Sequence, residues 1–396
     1  MASPAIELAD IVWSHGREYF ETFPASALQR RILTAIASCR TPALGAHVSE
    51  CDACGHRHIA YHSCRDRHCP KCQSQVGAQW FEARAADLLQ VGYFHLVFTL
   101  PEELRALALQ NKKPLYDLLF QSAANSLLEL ARDPKHLGAH IGFHAILHTW
   151  SQTLRHHPHV HCVVPGGGLA QDDSHWVASR KNFFLPVRVL RDLFRGKFLH
   201  GLNLLFERGR LQFHGRLAPL GDSDTFDRLS ASLRKKKWVV YAKPPFAGPE
   251  TVLKYLARYT HRVAISNSRI LALENGNVTF SFKDYRDHSR RKIMTLPAVH
   301  FLRRFLLHVL PRNFVRIRHY GFLANRVRNS KIALCRNLLP RPPASSPPPE
   351  PAEVPAHAFS EGPRCPVCKR GTLVVVDDLP PSPRWILRFC ATRGPP

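Results

Sequence analysis

Residues 51–72 read CDACGHRHIAYHSCRDRHCPKC, and no other stretch limits the fold of this chain as tightly. Cys51-x2-Cys54 and Cys69-x2-Cys72 are two thiolate pairs separated by 14 residues. Each pair presents two sulfurs from one knuckle, and two knuckles close a tetrahedron around zinc. The spacing therefore predicts a zinc site at Cys51, Cys54, Cys69 and Cys72. Four protein ligands leave no open position, so the ion is structural. Cys64 and His68 lie inside the loop and remain alternative ligands. A redox dithiol would leave the second pair unexplained. CPVCKRGTL at 365–373 is half of a similar motif, with only Cys390 following it.

The count of 11 cysteines is odd, and the N-terminus MASPAIELADIVW carries acids where an export signal would carry a basic stretch. Both features favour metal over disulfides. Lys and Arg number 55 against 30 Asp and Glu, a net charge of +25. An excess of this size points to a polyanionic partner, nucleic acid first, with a merely solvated basic surface as the alternative. Arg57, Arg65, Arg67 and Lys71 would then give the cysteine module a basic face for DNA, unless the zinc is purely a scaffold. Apolar residues make up 45% of the chain, with 23 Phe and 6 Trp, enough for a sizeable core. No stretch reaches the roughly 18–20 apolar residues of a membrane span.

The order of elements indicates an α+β fold. Residues 1–45 form a helical segment, with SALQRRILTAIASC as an amphipathic helix. Residues 46–90 are the zinc-binding module, with helical periodicity over 79–89. Within 91–339, FHLVFTL (94–100), HIGFHAILHTW (140–150), HVHCVVPGGGL (159–169) and WVVYAK (238–243) read as strands. Residues 101–131 and 183–209 read as helices, as does PETVLKYLARYTHR (249–262). RVAIS, RILALE and VTFSFKDY read as short strands, the last two joined by Asn275-Gly276. Residues 295–341 turn helical and basic. The linker at 340–358 holds eight prolines in its first 18 residues and precedes a small cysteine-containing tail at 359–396.

Two pairs of residues carry possible chemistry. Strand alternation puts His159 and His161 on one face and Val160 on the other. Two imidazoles side by side are two-thirds of a metal site, or a pair of hydrogen-bonded surface histidines. Gly166-Gly167-Gly168 ends that strand and leaves room for a backbone or a ligand. Tyr255 and Tyr259 share a helix face at i, i+4, among Lys254, Arg258, His261 and Arg262. Cations there favour the phenolate, the form that attacks phosphorus. The plainer reading is two core tyrosines.

RHCPKCQ, FHLVFTLP, HTWSQTLRHHPHVHCVVPGGGL, KYLARYTHRVAISNSRI and HVLPRNFVRIRHYGFLAN follow one another over about residues 30–335. In that order they resemble the rolling-circle transposases of bacterial insertion sequences, the HUH group with paired tyrosines of the insertion-sequence ninety-one type. The resemblance implies an HUH endonuclease-like antiparallel sheet with flanking helices, preceded by a small zinc-ribbon-like module. It implies a divalent cation, Mg2+ or Mn2+, on His159 and His161, with Gln152 as third ligand and His148 as the other choice. It implies Tyr255 and Tyr259 as nucleophiles that cleave single-stranded DNA at element ends and target through a 5′-phosphotyrosine. It places the protein in the bacterial cytoplasm, at the nucleoid. A replication initiator would use the same chemistry, and a DNA-binding remnant would keep the fold without it. Lys254, Arg258, Arg262, Arg312, Arg316, Arg318, Arg326 and Arg328 would grip phosphates. Phe314, His319, Tyr320 and Phe322 would stack bases, and RKKKW at 234–238 is a second basic patch.

Overall fold

The computed structural model describes residues 6–73, 87–246, 263–285, 287–340 and 362–382. Helices α1 (Leu8–Thr22) and α2 (Ala27–Ser38) come first, followed by strands β1 (Ala46–Cys51), β2 (Arg57–Tyr61) and β3 (Tyr93–Thr99). Next come α3 (Arg105–Gln110), α4 (Lys112–Arg132), β4 (Gly142–Trp150), β5 (His156–Pro165), β6 (Gly167–Leu169) and β7 (Trp176–Ala178). Helices α5 (Val187–Glu207) and α6 (Ser223–Lys235) lead to β8 (Val239–Phe246), β9 (Ile270–Glu274), β10 (Asn277–Asp284) and β11 (Arg290–Pro297). The remainder is α7 (Ala298–Leu306), β12 (Ile317–Gly321), α8 (Arg328–Leu338) and β13 (Leu373–Leu379). The fold is α+β, and every strand pair is antiparallel.

The chain divides into two compact units. One draws its described residues from Met1–Gln75, Ile265–Leu306 and Arg341–Pro396, the other from Val76–Ala264 and Leu307–Pro340. The division cuts across the continuous 91–339 domain expected from the sequence. Residues 265–306 join the first unit, and so does β13, which pairs with β1 instead of forming a separate tail. The proline-rich stretch at 341–358 lies outside the described residues.

In the second unit a five-stranded sheet runs β12-β4-β5-β3-β8. One face is apolar. Phe94, Leu96 and Phe98 of β3, Phe143, Ala145 and Leu147 of β4, and Val160, Cys162 and Val164 of β5 alternate onto it. Helices α4 and α5 cover it with Tyr116, Phe120, Leu127, Phe194 and Phe198, all buried. Truncating a fully buried ring such as Phe98 to alanine costs about 3–5 kcal/mol. The helix expected over 101–131 breaks at Asn111, whose amide donates to the Leu107 and Gln212 carbonyls (3.1 and 2.9 Å). The triple glycine does make room, but for backbone. Gly167 sits at φ +153°, and a Cβ there would lie 2.4 Å from the Val177 carbonyl oxygen.

In the first unit, β13-β1-β2 and β11-β10-β9 form two three-stranded sheets. Asn275 and Gly276 both take positive φ (48° and 73°), the turn that joins β9 to β10. The helical reading of 295–341 missed the start of that region and its middle. The former completes β11, and the latter is β12, an edge strand of the main sheet. RVAIS forms no strand over its described residues, 263–266.

Candidate functional site

The face of the main sheet opposite the apolar core is lined with imidazoles. Register sets this arrangement. His148 of β4 lies directly opposite His159 of β5, and Ile146 opposite His161. The ligand atoms of His148, His159 and His161 lie within 4.8 Å of one another. Their ring centroids are 4.3 Å (His148–His161), 4.8 Å (His159–His161) and 5.5 Å (His148–His159) apart. The ring that joins the predicted pair is therefore that of His148. Gln152, the expected third ligand, falls in the turn at 151–155, past the last strand pair Trp150↔His156. Counting seven residues back from His159 passes through a turn, whereas the ladder puts His148 straight across.

Hydrogen bonds fix the tautomers. His159 Nδ1–H donates to the His157 carbonyl (2.6 Å), which leaves Nε2 as the lone-pair nitrogen. His161 Nδ1 faces His95 Nε2 at 2.7 Å, the two rings being parallel within 2°. Burial lowers His95 and His159 to about 3, and it drives His161 well below its ordinary value. These rings are neutral at pH 7, the form that ligates a metal. The turn beyond them is pinned by His308. Its Nε2–H donates to the Leu154 carbonyl (3.1 Å), and its Nδ1 pairs with Thr149 Oγ1 (3.2 Å). Leu154 holds φ +60° there.

Among the described residues eight cysteines form two clusters, not one. Cys39, Cys64, Cys69 and Cys72 make up the first; Cys51, Cys54, Cys365 and Cys368 make up the second. This corrects the expected set of Cys51, Cys54, Cys69 and Cys72. A CxxC knuckle fixes which two sulfurs travel together but not which second knuckle they meet. In the first cluster Cys72 Sγ lies 3.5 Å from Cys39 Sγ and 3.6 Å from Cys64 Sγ. Hydrogen bonds from the Cys64 and Cys69 thiols hold the Cys39 thiol well below its ordinary value. His68 is turned toward Asp66 (2.9 Å) and is outside the cluster.

The basic segment at 312–341 is less of a surface than its sequence suggests. Phe314 and Phe322 are buried, and Arg316 is only 8% exposed. Arg318 bonds Asp117 and lies 4.2 Å over the Phe120 ring, and Tyr320 stacks on Phe143 (5.2 Å). Arg328 pairs with Asp87 (3.4 Å), Lys331 with Asp173, and His319 with His144 (2.7 Å). The aromatics interleaved with these cations pack inward, and three of the cations meet carboxylates. Arg312 and Arg326 remain exposed, as do Arg234, Lys235, Lys236 and Lys237; Trp238 of that patch is buried. Tyr255, Tyr259, Lys254, Arg258, Arg262 and Arg341 lie outside the described residues, as does Cys390.

Sequence reasoning missed Cys39 and His95. Cys39 is the C-cap of α2 and stands 12 residues before the first CxxC, so no spacing rule reaches it. His95 sits in an apolar strand, and only its register beside β5 reveals it. Its signal was a histidine in FHLVFTL on the same alternation as Tyr93 and Val97.

Residues 11–100 match the family model described as "Transposase zinc-binding domain", and residues 142–331 match the one described as "Putative transposase". "Putative transposase y4qJ" of Sinorhizobium fredii is 53% identical over 95% of this chain and 96% of its own length. The transposase for insertion sequence element IS801 of Pseudomonas savastanoi pv. phaseolicola is 29% identical over 84% of this chain and 77% of its own. A solved structure of TrwC with a 27-mer DNA aligns with 62% of this chain and 73% of its own, at 13% identity. Its TM-score is 0.23, too low to argue from. Among the described residues no helix is long and apolar enough to cross a membrane.

Proposed function

Because this chain belongs to the insertion-sequence ninety-one family of transposases with an N-terminal zinc-binding domain, we propose that it cleaves and rejoins single-stranded DNA through a tyrosine ester. The observation that carries the reading is the convergence of His148, His159 and His161 on one sheet face. The donor set fits a divalent cation: three imidazoles, with His159 Nε2 freed by its partner's bond to a carbonyl. Mg2+ or Mn2+ held by His148, His159 and His161 would supply positive charge to the phosphate, and nitrogen ligands would favour Mn2+.

The protein's own residues do the rest. Tyr255 or Tyr259 Oη bonds to phosphorus as the bond to the 3′ oxygen breaks. The phenolic proton leaves, the 3′ oxygen takes one up, and the 5′ phosphate stays on the tyrosine. The ester conserves the bond energy, so joining to a new 3′-OH needs no ATP. A second tyrosine allows one strand to be held while another is captured. Lys254, Arg258 and Arg262 favour the phenolate. Arg312, Arg326 and the 234–237 run, exposed on the second unit, hold phosphates without reading sequence. The cluster of Cys39, Cys64, Cys69 and Cys72 holds structural zinc, and the enzyme works on DNA at the nucleoid.

The test is a labelled single-stranded oligonucleotide carrying an element end, incubated with Mn2+ or Mg2+ and run on a denaturing gel. A covalent adduct should form, need metal, and disappear with Tyr255→Phe plus Tyr259→Phe. His161→Ala should abolish it with DNA binding intact. Full nicking by the double tyrosine variant would remove the nucleophile assignment. Salt-sensitive binding with no adduct at any end would make the protein a DNA-binding remnant.

A further inference from the structure

Half of the second thiol cluster lies beyond both family matches. Cys365 and Cys368 follow residue 331, where the later match ends, and they stand 311 and 317 residues from their partners Cys54 and Cys51. We propose that Cys51, Cys54, Cys365 and Cys368 bind a second structural zinc ion, which ties the C-terminal segment into the N-terminal module.

Geometry is the first support. Cys51 Sγ lies 3.7 Å from Cys368 Sγ, and Cys54 Sγ 3.8 Å from Cys365 Sγ. A tetrahedron with Zn–S bonds near 2.3 Å has sulfurs about 3.8 Å apart. A disulfide would bring sulfurs to about 2.05 Å. All four ligand atoms fall within 4.8 Å of one another.

The backbone is the second support. Both knuckles close on themselves: Gly55 N–H donates to the Cys51 carbonyl (3.0 Å), and Lys369 N–H to the Cys365 carbonyl (3.0 Å). Gly371 N–H points at Cys368 Sγ (3.4 Å). The two knuckles are stitched to each other as well. Asp52 N–H donates to the Thr372 carbonyl (3.2 Å), and Thr372 N–H to Asp52 Oδ1 (2.8 Å). A Cβ at Gly371 would lie 2.5 Å from Cys51 Sγ, so only glycine lets the strands approach this closely. From there β13 runs antiparallel along β1, Leu373 opposite Cys51.

Third, beyond the β1 ladder little apolar packing anchors this segment among the described residues. Val374, Val375 and Val376 are half exposed or more, and the apolar packing here is a cluster of Cys51, Cys365 and Leu373 with Cys368 beside it. A cluster this small does not hold a strand by apolar burial. Four thiolates around one Zn2+ leave a net charge of −2, and the exposed Arg364, Lys369 and Arg370 border the site to offset it.

The test counts zinc in the full chain by inductively coupled plasma mass spectrometry after dialysis. The His161→Ala background keeps the imidazole site from contributing. The expected count is two per chain, falling to one in Cys365→Ser plus Cys368→Ser. The retained ion shows that the variant's other cluster is still folded. Cobalt substitution should halve the thiolate charge-transfer absorbance in step, and limited proteolysis should newly cut within 362–382. Two zinc ions in the double variant, or one in the parent, would overturn the proposal. So would a denatured, unreduced parent with titratable thiols missing, since that result means disulfides.

Discussion

The histidine face and the cysteine module both bring donor atoms together, but by different routes. His148, His159 and His161 come from adjacent strands of one sheet, where the ladder alone decides which side chains meet. The apolar core under that sheet holds the rings in place before any ion arrives. The cysteines come from four places: the end of α2, residues 51–54, residues 64–72 and residues 365–368. Around the second cluster apolar burial is slight, so there a bound ion would supply the cohesion that packing supplies in the sheet. One site is preorganised by the fold, and the other gathers its donors from segments far apart in the chain.

Three measurements sharpen or break that contrast. The largest effect is expected from Cys39→Ser. Structural zinc in small modules contributes about 10–16 kcal/mol, and losing one of four thiolates forfeits most of it. The variant should lose one zinc ion and the amide-exchange protection of α1 and α2, while the sheet of the second unit keeps its own. Retained zinc and protection would strike Cys39 from the ligand set.

Acid is the next lever, and it acts on the sheet. His156 and His308 are buried, and burial lowers each to about 3. His156 pairs with Tyr116 Oη (2.8 Å) and His308 with the Leu154 carbonyl (3.1 Å). Unfolded histidines bind protons below about 6.5, and these two do so only near 3. Their contribution is thus complete above about pH 6.5 and is lost as pH falls toward 3. At pH 5 the pair should cost up to about 4 kcal/mol. Urea midpoints at pH 7 and pH 5, followed by tryptophan fluorescence, should show the drop. Equal midpoints would mean that neither ring is kept neutral by the fold.

The smallest effect is expected from His95→Gln. The ring orients His161 through Nδ1, so its loss should weaken Mn2+ binding about 10–100-fold with little change in melting temperature. Calorimetric titration gives the affinity. An unchanged affinity would reduce His95 to a packing residue.

The sequence was most legible where one physical rule acts alone. FHLVFTL and the alternation through His159 and His161 announce their strands because period-two patterning over a buried sheet has few readings. IRHYG does not, because an edge strand exposes enough charge to hide its alternation. The basic run around it looked like a DNA grip, yet Phe314 and Phe322 serve the interior and Asp117, Asp87 and Asp173 absorb three of its charges. The cysteine pairs were visible at once, whereas their partnership was not. Which knuckle meets which is decided by strand pairing between β1 and β13, and nothing within 22 contiguous residues encodes that.

The split cluster also has a consequence in time. On the ribosome, the thiols of Cys51 and Cys54 emerge long before the two that complete their set, 311 and 317 residues later. At bacterial elongation rates that interval is on the order of 15–60 s. During it two soft, nucleophilic sulfurs stand open to oxidants and to competing soft metals. Strand β13 then acts as a seal, and until it is made the Cys51–Cys54 pair stays open.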